Sequence, residues 1–279
     1  MKFTKMHGCG NDYVYINGFQ EKLETEKKPE WVKKISDRHF GIGSDGAIFI
    51  NPSSNADFEM EMYNADGSRS EMCGNGIRCV GKYVYDYGLT KEEEITVESG
   101  GQIKYLKLKV EEGVVSEVEV NMGSPILESH LIPVKSEKSQ VVREPLYIPQ
   151  LNRTYEITCV SMGNPHAVVF LDEVSKLEIE EVGPYFEHHP AFPNRINTEF
   201  VKVLDEENVE MRVWERGTGE TLACGTGCCA TVVACILNGL TKDCVTVHVL
   251  GGKIKIYWDR KNNLVTMTGP ATTVFEGEI

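Results

Sequence analysis

The stretch EMCGNGIRC (residues 71–79) decides the fold, because the chain repeats it 151 positions later, counted from Cys73 to Cys224 (224 − 73). Residues 71–89 read EMCGNGIRCVGKYVYDYGL, and residues 222–240 read LACGTGCCATVVACILNGL. Glycines follow each cysteine at the same positions, and both segments end in Gly-Leu. Such self-similarity at a fixed offset predicts two domains of like fold, related by duplication, each with one cysteine at the same place.

Each half has the same predicted elements. Strands with period-two alternation, FEMEMY (58–63) and VEMRVW (209–214), come before the cysteines. A helix follows each cysteine and ends near Gly88 or Gly239, since glycine suits the position after a helix C-terminus. The second helix, which contains CCATVVACIL (228–237), is apolar almost all round and should be buried. With the strands predicted after these helices, each half becomes an α+β domain, a mixed or antiparallel sheet curled around a central helix.

The composition excludes several classes of protein. The chain has 279 residues and a formal net charge of −13, whereas nucleic-acid binding needs clustered Lys and Arg to neutralise phosphates. The start, MKFTKMHGCGNDYVYI (1–16), has a Gly-Asn-Asp turn where a signal peptide would have an apolar core. No stretch reaches the roughly 18–20 apolar residues of a membrane helix. We therefore expect a soluble, cytoplasmic protein that binds neither nucleic acid nor membrane.

The nine cysteines favour neither a disulfide framework nor a metal site. An odd number in a chain without a secretion signal predicts reduced thiols. No C-x-x-C pair is present, and the pair Cys224 and Cys228 has no matching second pair, so we expect no metal. The segment GIGSDG (41–46) matches a dinucleotide fingerprint, but it lies between a predicted helix (29–40) and a predicted strand (47–50), the reverse of the required order. Neither a nucleotide nor a pyridoxal phosphate signature is evident, and we expect no cofactor.

Cys73 and Cys224 each lie at the predicted N-terminus of a helix, where N–H groups and the helix dipole favour an anion. That position can hold a substrate carboxylate, and we expect it to lower the pKa of a thiol. A thiolate beside a carboxylate is suited to removing the neighbouring proton. Inversion of a carbon centre is most simply done with a base on one face and an acid on the other. Two domains that close on a ligand would supply one thiolate and one thiol.

Other interpretations remain open at this point. The cysteines could be buried in duplicated cores, although glycines on both sides of Asn75 and Thr226 suit a backbone-lined pocket better. The chain could be a non-catalytic amino-acid-binding protein, which would be expected to lose one of the cysteines. A redox-sensing dithiol is the third alternative.

The chain closely resembles the diaminopimelate epimerase family over nearly its whole length. The segments that carry the resemblance are KMHGCGNDYV (5–14), DRHFGIGSDG (37–46), YNADGSRSEMCGNGIRC (63–79), VSMGNPHAVVF (160–170), FPNRINTEFV (192–201), VWERGTGETLACGTGCCA (213–230) and MTGPA (267–271). The resemblance implies a cofactor-independent homodimer that converts LL- to meso-2,6-diaminopimelate, a step toward lysine and, in many bacteria, peptidoglycan. It implies one domain of residues 1–121 with 268–279, a second of residues 122–267, and an active site in the cleft between them.

The resemblance also implies roles for individual residues. Cys73 and Cys224 are the two acid and base thiols, and His166 and Glu215 are the polar neighbours that assist them. The groups implied to bind substrate are the side chains of Asn11, Asn64, Asn164 and Asn197, the backbone N–H groups of Gly74, Asn75, Gly225 and Thr226, and, at the far end of the substrate, Glu215 and Arg216.

Two positions depart from the pattern of the family. Some relatives have a glutamine that contacts substrate where this chain has Gly46, so that contact is not expected here. Some have a tyrosine associated with the dimer contact where this chain has Phe275, which lacks the hydroxyl. The main alternative activity is that of a related racemase for another amino acid, such as histidine or proline. The Glu215-Arg216 pair and the four asparagines favour a substrate with a second amino-acid head instead.

Overall fold

The computed structural model describes residues 1–70 and 73–279. Glu71 and Met72, with which the repeated stretch begins, lie outside the described residues. The chain separates into two compact units. Unit 1 consists of Met1–Asn121 and Thr268–Ile279, and unit 2 consists of Met122–Met267.

The described residues form strands and a few helices. The α-helices are α1 (Lys28–Ser36), α2 (Gly74–Asp86), α3 (Ile179–Glu187) and α4 (Gly225–Leu237). The strands are β1 (Lys2–Gly8), β2 (Asn11–Asn17), β3 (Gly46–Asn51), β4 (Phe58–Asn64), β5 (Arg69–Ser70), β6 (Glu94–Ser99), β7 (Gln102–Glu111), β8 (Val114–Gly123), β9 (Glu144–Ile148), β10 (Arg153–Ser161), β11 (Pro165–Phe170), β12 (Asn197–Asp205), β13 (Asn208–Glu215), β14 (Gly219–Thr221), β15 (Cys244–Val249), β16 (Gly252–Asp259), β17 (Leu264–Pro270) and β18 (Thr272–Glu278). Short 3₁₀ segments occupy Thr25–Lys27 and Pro149–Leu151.

The two units pair their strands in the same order. In unit 1, β1 and β2 are antiparallel, β2 and β3 parallel, β3 and β4 antiparallel, β4 and β6 parallel, and β6 and β7 antiparallel. In unit 2, β10 to β13, β15 and β16 follow the same succession of antiparallel and parallel pairs. This mixed sheet with few helices confirms the predicted α+β class.

The helix after each cysteine packs against the sheet of its own unit. Helix α2 contacts β1, β2 and β7, and α4 contacts strands from β10 to β16. Residues 227–235 in α4 are all buried, as its apolar sequence predicts. Both helices are 13 residues long, and Gly88 and Gly239 follow them with φ of +72° and +68°. These positive angles explain why glycine stands there, because the left-handed conformation costs other residues energy.

The helix predicted over residues 29–40 ends four residues early, at Ser36. Asp37 has a ψ of 124°, which leaves the helical region. Its carboxylate accepts hydrogen bonds from the backbone N–H groups of His39 at 2.7 Å and Phe40 at 2.8 Å. The side chain thus competes with the helix for the backbone, as aspartate does in turns. Pro29 lies in the first turn of α1, as predicted.

Among the described residues, no helix combines the length and the apolar character that crossing a membrane would require.

Candidate active site

Cys73 is the N-cap of helix α2. Its backbone is extended, and Sγ accepts a hydrogen bond from the N–H of Gly76 at 3.3 Å. The thiol also lies 3.0 Å from Oδ1 of Asn11, to which it donates. The N–H groups in the first turn of α2 have no partner within the helix itself, as at any helix N-terminus. The thiol therefore lies at an end of the helix that attracts negative charge.

Asn11 is held in one orientation beside this thiol. Its Nδ2 donates to Oδ2 of Asp45 at 2.8 Å, so its carbonyl oxygen faces Cys73. Asp45 also accepts from the backbone N–H of Asp12 at 3.1 Å and pairs with Arg38 at 2.9 Å. The orientation of the amide is thus set by a carboxylate that is itself held by a cation.

Tyr13, on the same strand as Asn11, is a further neighbour of Cys73. Burial raises the pKa of its phenol above the usual range, and the nearby Cys73 raises it further, while a hydrogen bond with Asn11 opposes both effects. Tyr13 therefore remains a protonated phenol beside the thiol.

The other predicted binding residues of unit 1 lie at strand and helix ends. Asn64 ends β4, and its Nδ2 donates to Oγ of Ser68 at 3.0 Å. Asn75, in the first turn of α2, is buried, and its Oδ1 accepts from Nη2 of Arg78 at 3.0 Å. Its side chain is thus turned into the protein. The role of the backbone N–H groups of Gly74 and Asn75 in substrate binding stays a prediction.

Gly46 cannot carry a side chain in this backbone. A Cβ built there would lie 2.0 Å from the carbonyl oxygen of Tyr63 and 3.0 Å from Cε1 of Tyr13. The chain at this point would have to move before it could hold the glutamine of some relatives. That the substrate contact is missing here stays a prediction.

Cys224 occupies the N-cap of α4, but its surroundings differ from those of Cys73. Only 6% of the residue is exposed, and Sγ lies 3.5 Å from Oγ1 of Thr226. Burial raises the pKa of the Cys224 thiol well above its usual range, and the carboxylates of Glu215 and Glu199 raise it further. Hydrogen bonding with Thr226 and the backbone of Gly227 opposes this shift without cancelling it.

The sequence-based prediction that the helix N-terminus lowers the thiol pKa is wrong for Cys224. Hydrogen bonding at the helix end lowers the pKa of this thiol, but burial and two nearby carboxylates raise it by more.

Glu215 and Arg216 follow one another where β13 ends. Burial raises the pKa of Glu215, and a hydrogen bond at 2.5 Å from Oγ1 of Thr221 opposes that rise. Nη1 of Arg216 donates to the carbonyl oxygen of Asn194 at 2.9 Å. Asn197 is buried, and its Oδ1 accepts from the backbone N–H of Arg216 at 2.9 Å. Asn197 thus holds the turn that carries the acidic and basic pair.

His166 is fully buried between two acceptors. Its Nδ1 lies 2.7 Å from Oε1 of Glu199, and its Nε2 lies 3.0 Å from Oδ1 of Asn164. His166 and Glu199 come from neighbouring parallel strands, β11 and β12. Glu199 also approaches the first turn of α4, since a Cβ added to Gly227 would lie 2.7 Å from its Oε1.

Three residues of these surroundings were not predicted from the sequence: Tyr13, Asp45 and Glu199. A glutamate inside the apolar strand NTEFV (197–201) was a usable signal, because a buried carboxylate needs a partner. The alignment of GNDYV (10–14) with GNPHAV (163–168) likewise places Tyr13 opposite His166. Among the described residues, no group of three or more His, Cys, Asp or Glu side chains is arranged to hold a metal ion.

Comparison with known proteins gives a consistent result. The family model described as diaminopimelate epimerase matches residues 3–128 and 158–274. A diaminopimelate epimerase of Agathobacter rectalis is 59% identical over 286 residues, which cover 100% of this chain and 99% of that protein. One from Acetivibrio thermocellus is 55% identical over 279 residues, covering 100% and 98%. A solved structure of a probable proline racemase from Agrobacterium radiobacter K84 has a TM-score of 0.70 at 14% identity, covering 100% of this chain and 92% of that one, and indicates a shared fold.

Proposed function

The chain belongs to the diaminopimelate epimerase family, and from this premise we propose that it converts LL-2,6-diaminopimelate to meso-2,6-diaminopimelate. It is an isomerase of an amino acid and acts without pyridoxal phosphate. The reaction serves lysine biosynthesis and the supply of peptidoglycan precursors. The observation that carries the proposal is that Cys73 and Cys224 occupy the same N-cap position in two units with the same order of strand pairing.

In the proposed mechanism, the two cysteines act on opposite faces of one α carbon. One thiolate removes the α proton, which leaves a carbanion next to the carboxylate, and the other thiol delivers its proton to the opposite face. The raised pKa of Cys224 supports it as the thiol that is protonated before reaction. After one turnover the first cysteine is a thiol and the second a thiolate, so the reverse reaction uses the same pair with the roles exchanged.

The helix N-termini supply the proposed binding site for the reacting carboxylate. The backbone N–H groups of Gly74, Asn75, Gly225 and Thr226 belong to first turns, which favour an anion. Charge that develops on the carboxylate as the α proton leaves is stabilised by the same groups. The position of these turns beside the thiols supports the proposal.

The remaining predicted residues would bind the substrate and orient its far end. We propose that Asn11, Asn64, Asn164 and Asn197 contact the substrate, and Asn197 also supports the turn of Arg216 through its hydrogen bond to that residue's backbone N–H. Glu215 and Arg216 would bind the ammonium and carboxylate of the second amino-acid head, which needs one acidic and one basic partner. His166 and Glu215 would assist the thiols, and the influence of Glu215 on the pKa of Cys224 supports that role.

The family also suggests a homodimer that acts in the cytoplasm, and both belong to the proposal. Phe275 and Val274 are about half exposed on β18, and Phe275 packs edge-on against Phe3 at 6.0 Å. Two adjacent apolar side chains exposed on this otherwise polar strand support a packed subunit contact that needs no tyrosine hydroxyl.

The test is the stereochemistry of the product. The purified, reduced protein is incubated without added cofactor with LL-diaminopimelate and, separately, with L-proline, L-histidine and L-lysine. Chiral chromatography is expected to show meso-diaminopimelate and no conversion of the other amino acids. Conversion of one of those amino acids, with LL-diaminopimelate unchanged, would overturn the proposed substrate and leave a racemase.

A further inference from the structure

Glu199 is a fully buried carboxylate that the mechanism above does not use. Its Oε2 has no hydrogen-bond partner among the described residues, while Oε1 lies 2.7 Å from Nδ1 of His166. The residue at the same place in unit 1, 151 positions earlier, is Ile48, which is also fully buried. The duplicated sheet can therefore be built with an apolar side chain here. A buried carboxylate in unit 2 is costly and calls for a function.

The hydrogen bonds of His166 determine where its ring protons lie. Nε2 faces Oδ1 of Asn164, a carbonyl oxygen that only accepts, so Nε2 must carry a proton. Nδ1 faces Oε1 of Glu199, and one proton lies between these two atoms. Whether that proton resides on the ring or on the carboxyl oxygen, the Nε2 proton stays. The acidic groups near this ring are Glu199, which bonds it, and Glu215, with which it interacts electrostatically.

Without Glu199, the ring could carry its single proton on Nδ1. Nε2 would then be an acceptor, and Asn164 would have to turn its amide over to donate to it. In the observed arrangement, Oδ1 of Asn164 is used by His166, and Nδ2 makes no hydrogen bond with the described residues. The amide N–H groups are thus the end of Asn164 that is left for a ligand.

We propose that Glu199 is a positioning residue that keeps the Nε2 proton on His166 and so presents the amide N–H groups of Asn164 to the substrate. This inference rests on the proposed function, in which Asn164 binds substrate. Glu199, His166 and Asn164 then form a row of hydrogen-bonded side chains. The amide N–H groups at its end would donate to a hydrogen-bond acceptor of the substrate, such as a carboxylate oxygen.

The direct test is ¹⁵N NMR of the histidine rings in the intact protein, with His166 assigned by its absence in His166→Gln. The wild type is expected to show a protonated Nε2 on His166. Glu199→Ile, which installs the residue of unit 1, is expected to lose that state and show a protonated Nδ1 with an unprotonated Nε2. An unprotonated Nε2 in the wild type would overturn the proposal even if Glu199→Ile failed to fold. An unchanged ring pattern in a folded Glu199→Ile protein would do the same.

Steady-state kinetics supply a second readout. Glu199→Ile is expected to raise KM for LL-diaminopimelate about tenfold, the effect of one misdirected hydrogen bond to a charged group, with a smaller change in kcat. Glu199→Gln should retain a KM nearer the wild type, because its amide N–H can donate to Nδ1 and leave the proton on Nε2. Glu210→Gln, on the neighbouring strand β13, is the control and should not change KM. Equal increases in KM in Glu199→Ile and Glu199→Gln would contradict the proposal.

The two claims can fail separately. If the wild type does not act on diaminopimelate but its Nε2 proton is present and depends on Glu199, the proposed substrate fails and the positioning of Asn164 stands. If the enzyme is active but the NMR result is negative, only the role of Glu199 fails.

Discussion

Cys73 and Cys224 are the N-cap residues of two helices of equal length, 13 residues each, and their surroundings differ. Cys73 is partly exposed and donates to Asn11, whereas Cys224 is buried near the carboxylates of Glu215 and Glu199. The two thiols thus have the same backbone position and different electrostatic surroundings. In the proposed mechanism one thiol begins each turnover as the acid and the other as the base, and the raised pKa of Cys224 favours it as the acid.

The carboxylate of Glu215 should slow the alkylation of Cys224, because only the thiolate reacts and a nearby negative charge disfavours it. Glu215→Gln is expected to raise the rate of iodoacetamide labelling at pH 8 about three- to tenfold, as a downward shift of the thiol pKa by up to about one unit would do. Peptide mass spectrometry gives the rate for Cys224 separately from the other thiols. Glu210→Gln is the control, and an unchanged or slower rate in Glu215→Gln would contradict the assigned electrostatics.

Glu215 should also oppose folding at neutral pH. Burial raises its pKa in the folded protein above the usual 4.5, so the folded state holds the proton more tightly than the unfolded state. The stability due to this group is present below about pH 4.5 and is lost as the pH rises through the folded-state pKa. Glu215→Gln is therefore expected to raise Tm at pH 7, with a gain that shrinks below about pH 4.5. A gain that is the same at pH 4 and pH 7 would show that ionisation is not its cause.

Two glycines at corresponding places in α2 and α4 should respond differently to alanine. A Cβ at Gly227 would lie 2.7 Å from Oε1 of Glu199, which His166 holds in place. A Cβ at Gly76 would lie 2.8 Å from Cδ1 of Ile48, a terminal methyl group that no hydrogen bond holds in place. Gly227→Ala is expected to lower the free energy of unfolding by about 1–3 kcal/mol, and Gly76→Ala by less. Urea unfolding measures both, and a larger loss in Gly76→Ala would contradict the packing described.

Alanine substitutions at Gly46 and Gly88 form a second matched pair. Both have positive φ, +151° and +72°, but a Cβ at Gly46 would lie 2.0 Å from the carbonyl oxygen of Tyr63, whereas no described atom lies within 4 Å of one at Gly88. Gly88→Ala should therefore cost about 1–2 kcal/mol, the strain of the left-handed conformation. Gly46→Ala should cost more, about 3 kcal/mol or above, or prevent folding. Thermal unfolding of the two variants compares them, and equal losses would argue against the clash.

The elements around the two cysteines could be predicted because their signals are local. Period-two alternation identified β4 and β13, and the glycines after the helices marked their ends. The early end of α1 was missed, because it depends on which backbone groups the carboxylate of Asp37 accepts from. Sequence spacing alone does not distinguish that turn from a continued helix.

The electrostatics of Cys224 could not be read from its own segment. Glu199 lies 25 positions before it (224 − 199) and comes near it because β12 packs against α4, with Oε1 of Glu199 close to Gly227. The partnership of Glu199 with His166 depends in turn on the parallel pairing of β11 with β12. A helix N-terminus is visible in the sequence, but burial and charge that arrive from other strands are not, and in this thiol they outweigh the helix end.

The measurement that tests the two-thiol mechanism most directly is solvent exchange of the substrate α proton. Wild type, Cys73→Ala and Cys224→Ala are each incubated with LL-diaminopimelate in D₂O without cofactor, and the α-proton signal is followed by NMR. The wild type should lose the signal while meso product accumulates, and neither variant should epimerise the substrate, since each lacks the acid or the base for one face. Epimerisation at the wild-type rate by either variant would contradict the mechanism.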